Sequence, residues 1–194
     1  ALQAALARAG STRTRCALLI IDLDRFKAVN DTLGHPVGDK LLAQVAQRLK
    51  QLIQPGNLCG RLGGDEFAVV MGELREARDA DRLGRQLIES ISRPYVVDNH
   101  QLFVGASIGF AVGPHDGASV ETLIRNADLA LYKAKDRGGN VVAQYEPALH
   151  AQAEERRVME QELRGALERG EFHLNFQPVV EAADGTLDGF EALV

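Results

Sequence analysis

Two carboxylates stand where chemistry is plausible. Asp22 closes the apolar run at 16–21 (CALLII), and Asp65 follows the glycine pair Gly63-Gly64, 43 residues later. An acid at the end of a buried strand is costly unless it is paired or bound to a cation. If the two segments are neighbouring strands, their ends bring the carboxylates together. Two close carboxylates repel and invite Mg²⁺, which takes one or two carboxylates plus phosphate oxygens. The glycines let the backbone turn tightly and let a substrate approach. This is the layout of a nucleotidyl-transfer site. Each residue also has a plainer reading: Gly-Gly-Asp as an ordinary turn, Asp24 as the start of a loop, Asn30 and Asp31 as turn residues, His35 as a surface histidine.

The elements around these residues follow from periodicity. Good helix formers at 1–9 give a short helix, broken by Gly10 and Ser11. The run at 16–21 suits a strand buried on both faces. From Val37, apolar residues at helical spacing reach Ile53, and Pro55-Gly56 end the pattern. Short apolar runs at 58–62 and 66–71 flank the glycine pair as a hairpin. A helix over 75–92, a strand over 102–112, a helix from Ser119 to about 136 and a strand over 141–145 complete the order β-α-β-β-α-β-α-β. That order predicts an α+β sandwich of the palm or ferredoxin-like type, a central mixed sheet with flanking helices. A charged helix over 150–169 follows, with Met159, Leu163 and Ala166 or Leu167 as a narrow apolar stripe. A new strand begins at Phe172, Asp184-Gly185 turns it, and 187–194 pairs back. The expected division is a domain at 1–148, a linker helix at 149–170 and the start of a further domain at 171–194.

Composition narrows the function. A formal charge of −5 argues against a duplex nucleic-acid binder, which carries a basic footprint, but leaves a single nucleotide acceptable. Cys16 and Cys59 lack metal-site spacing and read as buried, reduced thiols. No apolar run approaches the about 18 residues of a membrane span, and no signal peptide is visible, so the expected location is the cytoplasm, with an upstream membrane anchor left open. The chain opens on Ala1 and closes on Val194 within an apolar segment, so both ends read as cuts from a longer protein.

Three separated motifs carry a resemblance. Gly63-Gly64-Asp65-Glu66-Phe67 spells the motif that names the GGDEF family of diguanylate cyclases. Upstream, Asp22-Leu23-Asp24-Arg25-Phe26-Lys27, Asn30-Asp31, Gly34-His35 and Gly38-Asp39 resemble the family's D-x-D-x-F-K-x-x-N-D-x-x-G-H-x-x-G-D segment. Downstream, Ala127-Asp128, Ala130-Leu131-Tyr132 and Ala134-Lys135 resemble its A-D-x-A-L-Y-x-A-K helix. The resemblance implies a nucleotidyl-cyclase fold that joins two GTP into cyclic di-GMP across a homodimer. It implies Mg²⁺ (or Mn²⁺) on Asp22, Asp65 and the Leu23 carbonyl, and Asn30 and Asp39 on the guanine edge. It further implies Phe26 and Lys27 along the phosphates through backbone N–H groups, Lys135 as a phosphate-neutralising cation, and Glu66 on a second metal or a proton.

Two departures bear on activity. The family often ends the third motif with G-R-N, where this chain has Gly138-Gly139-Asn140 and an arginine only at Arg137. Many members carry an R-x-x-D inhibitory product site, where this chain has Gln54 and Asn57, so a product clamp is expected to be weak. In the tail, Phe176-Gln177-Pro178 and Gly189-Phe190-Glu191-Ala192-Leu193 resemble the opening of an EAL phosphodiesterase barrel, with Glu191 as a metal ligand. A full β/α barrel takes about 250 residues, so this chain is not expected to perform that reaction. Two functions remain open: an active diguanylate cyclase, or a GTP-binding domain regulating an EAL partner.

Overall fold

Successive residues of the strand Arg15–Asp24 feed two different cores. Ala17, Leu19, Ile21 and Leu23 belong to one apolar cluster, and Cys16, Leu18 and Ile20 to another. That two-residue period is what a strand covered on both faces requires. The computed structural model describes residues 1–194. In order it contains α1 (Leu2–Thr12), β1 (Arg15–Asp24), α2 (Phe26–Leu33), α3 (His35–Leu52), β2 (Leu58–Gly63), β3 (Glu66–Leu74), α4 (Ala77–Ile91), β4 (Tyr95–Val97), β5 (His100–Leu102), β6 (Gly105–Gly113), α5 (Val120–Asp136), β7 (Val142–Gln144), α6 (Ala148–Glu168), β8 (Asn175–Val180) and β9 (Leu187–Leu193).

The main sheet runs β2-β3-β1-β6-β7. Its pairs are antiparallel except β6–β7, which is parallel, so the protein is α+β with a central mixed sheet. Leu41, Leu42, Val45 and Leu49 of α3 and Leu83, Leu87 and Ile91 of α4 pack on one face. On the other face lie α1, through Ala5, Leu6 and Ala9, and α5, through Leu123, Ala127, Ala130 and Leu131. The α5 contact is made backbone to backbone: a Cβ on Gly109 would fall 1.9 Å from the Leu131 nitrogen and 2.3 Å from the Ala127 oxygen.

Several elements differ from the sequence expectation. α1 runs through Gly10 and Ser11 to Thr12; the Ser11 and Thr12 hydroxyls donate to the Arg8 carbonyl, and Arg13 ends the helix in the left-handed region. β1 reaches Asp24, because pairing with β3 carries it through Asp22 and pairing with β6 carries it to the end. Asn30 and Asp31 are helical, within α2, rather than turn residues. The strand expected over 102–112 is two elements. Asp98 and Asn99, both at positive φ (49° and 64°), turn the small β4–β5 hairpin, and β6 starts only at Gly105. Cys16 is buried as expected, but Cys59, on the edge strand β2, is only half-buried.

The chain divides into two units, Ala1–His150 and Ala151–Val194, the division falling in the first turn of α6. Within the second unit, β8 and β9 pair antiparallel. Met159, Leu163 and Leu167 of the helix and Phe176 and Phe190 of the hairpin are exposed, and Ala166 is buried.

Candidate active site

The sheet order converts two distant acids into neighbours. β1 and β3 are adjacent, and their register sets Asp22 opposite Glu66. Asp65 occupies the turn just before β3, and its carbonyl accepts the Leu23 N–H at 3.4 Å. Asp22, Leu23, Asp65 and Glu66 therefore gather at one end of the sheet. Lys135, in the last turn of α5, reaches the same place, with its Nζ 2.6 Å from Asp22 Oδ2. The sequence reading gave Lys135 to phosphate. Here it lies on the half-buried Asp22 carboxylate, a cation where the local charge calls for one.

Electrostatics describes the same cluster. Burial lifts the Asp22 carboxyl above the ordinary range; the Lys135 hydrogen bond and charge pull it down, while Asp65 and Asp24 push it up further. Asp22 is thus an acid whose ionised form is under-compensated. Asp128, seven residues before Lys135 on α5, is exposed, yet crowding around its carboxyl and then the Glu66 charge hold it above the usual range. No three acidic, histidine or cysteine side chains are close enough together to hold a metal ion among themselves. Two carboxylates and one backbone carbonyl are nevertheless a donor set that suits Mg²⁺, which keeps water and phosphate oxygens for its remaining positions.

The other expected residues sit just beyond the end of β1. Phe26 and Lys27 open α2, where the first backbone amides of a helix have no partner within it. The Phe26 ring is buried in the main cluster, so only its backbone is available to phosphate. Asn30, on α2, leans on α3 at Gly38, beside Asp39: a Cβ on Gly38 would lie 1.9 Å from Asn30 Oδ1. That Oδ1 is buried without a hydrogen-bond partner. Asp39 and Lys27 are exposed. An orphaned acceptor beside a free carboxylate suits a base edge that presents N–H groups.

Asp24 does more than start a loop. Its Oδ1 accepts from Ser107 Oγ at 2.7 Å and its Oδ2 from the Asn140 N–H at 2.8 Å. Gly138, Gly139 and Asn140 are all at positive φ (98°, 76° and 54°), and a Cβ on Gly139 would meet the Asp24 carboxylate at 3.1 Å. Asp24 thereby fastens the turn after α5, and with it the end of the helix that carries Lys135. The D-x-D spacing placed both acids at one strand end, but nothing in it distinguished this fastening role. Arg137 lines a cleft with Arg85 and Arg93, and Asp22, Asp65 and Glu66 are not among the residues that line it. Gln54 and Asn57 line another cleft with Arg75 and Arg82, and the Asn57 Oδ1 is taken by the Gly72 N–H at 3.2 Å.

The family description "Diguanylate cyclase, GGDEF domain" matches residues 1–141. The chain belongs to the GGDEF family. Across 193 residues, all of the chain and 28% of the relative, this GGDEF protein is 42% identical to the bifunctional diguanylate cyclase/cyclic di-GMP phosphodiesterase MucR of Pseudomonas aeruginosa. It spans between 22% and 28% of the length of the first four curated relatives it matches. Its fold is that of the GGDEF domain of YfiN (TpbB) from Pseudomonas aeruginosa, with a TM-score of 0.73 at 36% identity over 75% of this chain and 91% of that one. The GGDEF domain of DgcB from Caulobacter crescentus, solved in complex with c-di-GMP, matches with a TM-score of 0.68 at 30% identity over 74% and 85% of the two chains.

Proposed function

We propose that this GGDEF domain is a diguanylate cyclase that joins two GTP into cyclic di-GMP with release of two pyrophosphates. The observation that carries the reading is the gathering of Asp22, Leu23, Asp65, Glu66 and Lys135 at one end of the β1–β3 pair. Asp22, Asp65 and the Leu23 carbonyl would hold Mg²⁺ or Mn²⁺, which when bound supplies positive charge to the triphosphate and its leaving oxygen. Asn30 and Asp39 orient guanine by its hydrogen-bonding edge. The Phe26 and Lys27 amides and the Lys135 ammonium bind phosphate oxygens, so Lys135 exchanges Asp22 for substrate. Glu66, opposite Asp22, is the group placed to take the proton of the attacking 3′-hydroxyl.

One domain holds one GTP, so two must face each other and the working unit is a homodimer. Positioning supplies most of the rate. Residues 171–194 are the start of an EAL domain in the longer protein. No helix is long and apolar enough to cross a membrane; the proposed substrate, GTP, places the domain's action in the cytoplasm. Nucleic acid is no part of this reading.

Gly139 favours a second reading: with no arginine at that position, the domain binds GTP without cyclising it and regulates the EAL partner. Incubation with GTP and Mg²⁺, followed by chromatography across a hundredfold dilution series, separates the two. Product whose specific activity rises with protein concentration supports the cyclase. GTP binding without product selects the regulatory reading, and activity that is high and independent of concentration refutes the two-domain mechanism.

A further inference from the structure

A second polar cleft, of about 810 Å³, lies between the C-terminal end of α4 and the turn leading into β7. None of the acids or base-facing residues described above lines it. Ile88, Pro94 and Val142 contribute apolar surface, and Arg85, Arg93 and Arg137 contribute charge. Three guanidiniums against one lining carboxylate, Glu89, is a local excess of cation on a chain whose formal charge is −5. Two of the three arginines are not consumed by neighbours. Arg93 stands 3.7 Å from Glu89, a loose pair. Arg137 acts on Glu146, but that carboxylate is already held by Lys133 at 2.9 Å. Only Arg85 is gripped, by Asp81 on the same helix.

The end of α4 would ordinarily oppose an anion here, since the last carbonyls of a helix carry partial negative charge. Arg48 offsets part of that charge by donating to the Ser90 carbonyl in the last turn, and it also holds the Arg93 and Pro94 carbonyls just beyond the helix. Asn140 forms part of the wall, and its Oδ1 is occupied by Ser92 Oγ at 3.1 Å and the Ala106 N–H at 3.4 Å. What that side chain still offers is therefore a donor. Forked guanidiniums and an amide donor match phosphate oxygens, the apolar surface matches a flat or hydrocarbon body, and the volume lies within the about 300–1,000 Å³ of small-molecule sites.

We propose that this cleft binds a small phosphate-bearing ligand with an apolar body, of the nucleoside-phosphate class, at a site separate from the Asp22–Asp65 acids. The test is a titration of the ¹⁵N-labelled chain with uridine 5′-diphosphate in EDTA, which withholds metal from the acids and lacks a guanine edge. Saturable shifts of the Ser92, Arg93 and Asn140 amides are expected. Arg93→Ala combined with Arg137→Ala should weaken binding at least tenfold with an unchanged melting temperature, both side chains being exposed, whereas Lys135→Ala should leave it unaltered. Absence of shifts at those amides, shifts confined to the surroundings of Asp22 and Lys135, or equal affinity in the double variant would each overturn the proposal.

Discussion

Gly38→Ala separates stability from base recognition. In the helical position Gly38 holds, alanine normally stabilises by about 0.5–1 kcal/mol. Here the new methyl would lie 1.9 Å from Asn30 Oδ1, 3.0 Å from Asn30 Cγ and 3.1 Å from Phe26 Cζ. The nearest atom is the end of a side chain, so the Asn30 amide must swing away. Driving it off its rotamer costs about 0.5–1.5 kcal/mol, which the helical gain largely offsets. The net change stays within about 1 kcal/mol, or about 2–4 °C in melting temperature for a chain of this size. Function should respond differently, because the displaced group is the buried acceptor that lacks a partner. Loss of a hydrogen bond from guanine to that acceptor costs about 1–3 kcal/mol, equivalent to about 5- to 150-fold in GTP affinity. ATP, which presents a different edge, should bind as before. Calorimetry with both nucleotides and a thermal melt measure the two effects. A GTP-to-ATP ratio unchanged in a normally melting variant would refute the assignment of Asn30 to the base. A melting temperature lower by ten degrees or so would instead show that the amide does not yield.

Three further outcomes follow from the same geometry. Because the Asp22 carboxyl is held above its ordinary range mainly by burial, its contribution to stability is full below about pH 3.8 and is lost as pH rises through the raised value. Asp22→Asn, which cannot ionise, should therefore melt higher than wild type at pH 7 in EDTA, with the advantage vanishing in acid; Mg²⁺ should raise the melting temperature of wild type only. A variant that melts lower at pH 7 would mean that the Lys135 pair outweighs burial. Gly139→Arg places a side chain at φ 76°, which should cost about 1–3 kcal/mol in denaturant titration while raising GTP affinity several-fold; unchanged affinity would show that the missing arginine is immaterial. Gly109→Ala pushes a methyl into the backbone of α5 and should cost about 3 kcal/mol or more, so an equilibrium loss under about 1 kcal/mol would contradict the direct contact.

The meeting of the acids at one end of the sheet was legible because its logic is one-dimensional: an apolar strand ending in Asp22, and a glycine pair preceding Asp65. Sheet adjacency supplied the rest, since only the β1–β3 register puts Asp22 opposite Glu66. α2 was not legible. It is only 8 residues long and keeps a single buried side chain, Phe26, so it shows no apolar period and its Asn-Asp pair imitates a turn. The strand expected over 102–112 concealed a break, because Phe103 and Val104 continue the apolar run although they lie between β5 and β6. The roles of Asp24 and Gly38 were hidden for a different reason. Each depends on a partner from another element, Asn140 in one case and Asn30 in the other, and no local pattern encodes such a meeting.

The second apolar cluster has a mechanical consequence. Ala5, Leu6 and Ala9 of the first helix and Leu149 at the head of α6 belong to one packed group with Leu123, Ala127 and Leu131 of α5. His150 extends that joint through its ring nitrogen, 3.0 Å from the buried Asn126 on α5. A close-packed interior transmits displacement instead of absorbing it. The two ends of the first unit thus pack against the same helix, and the last turn of that helix holds the lysine that touches Asp22. A load on either end is therefore borne first by the helix that carries Lys135, on the α5 face of the sheet.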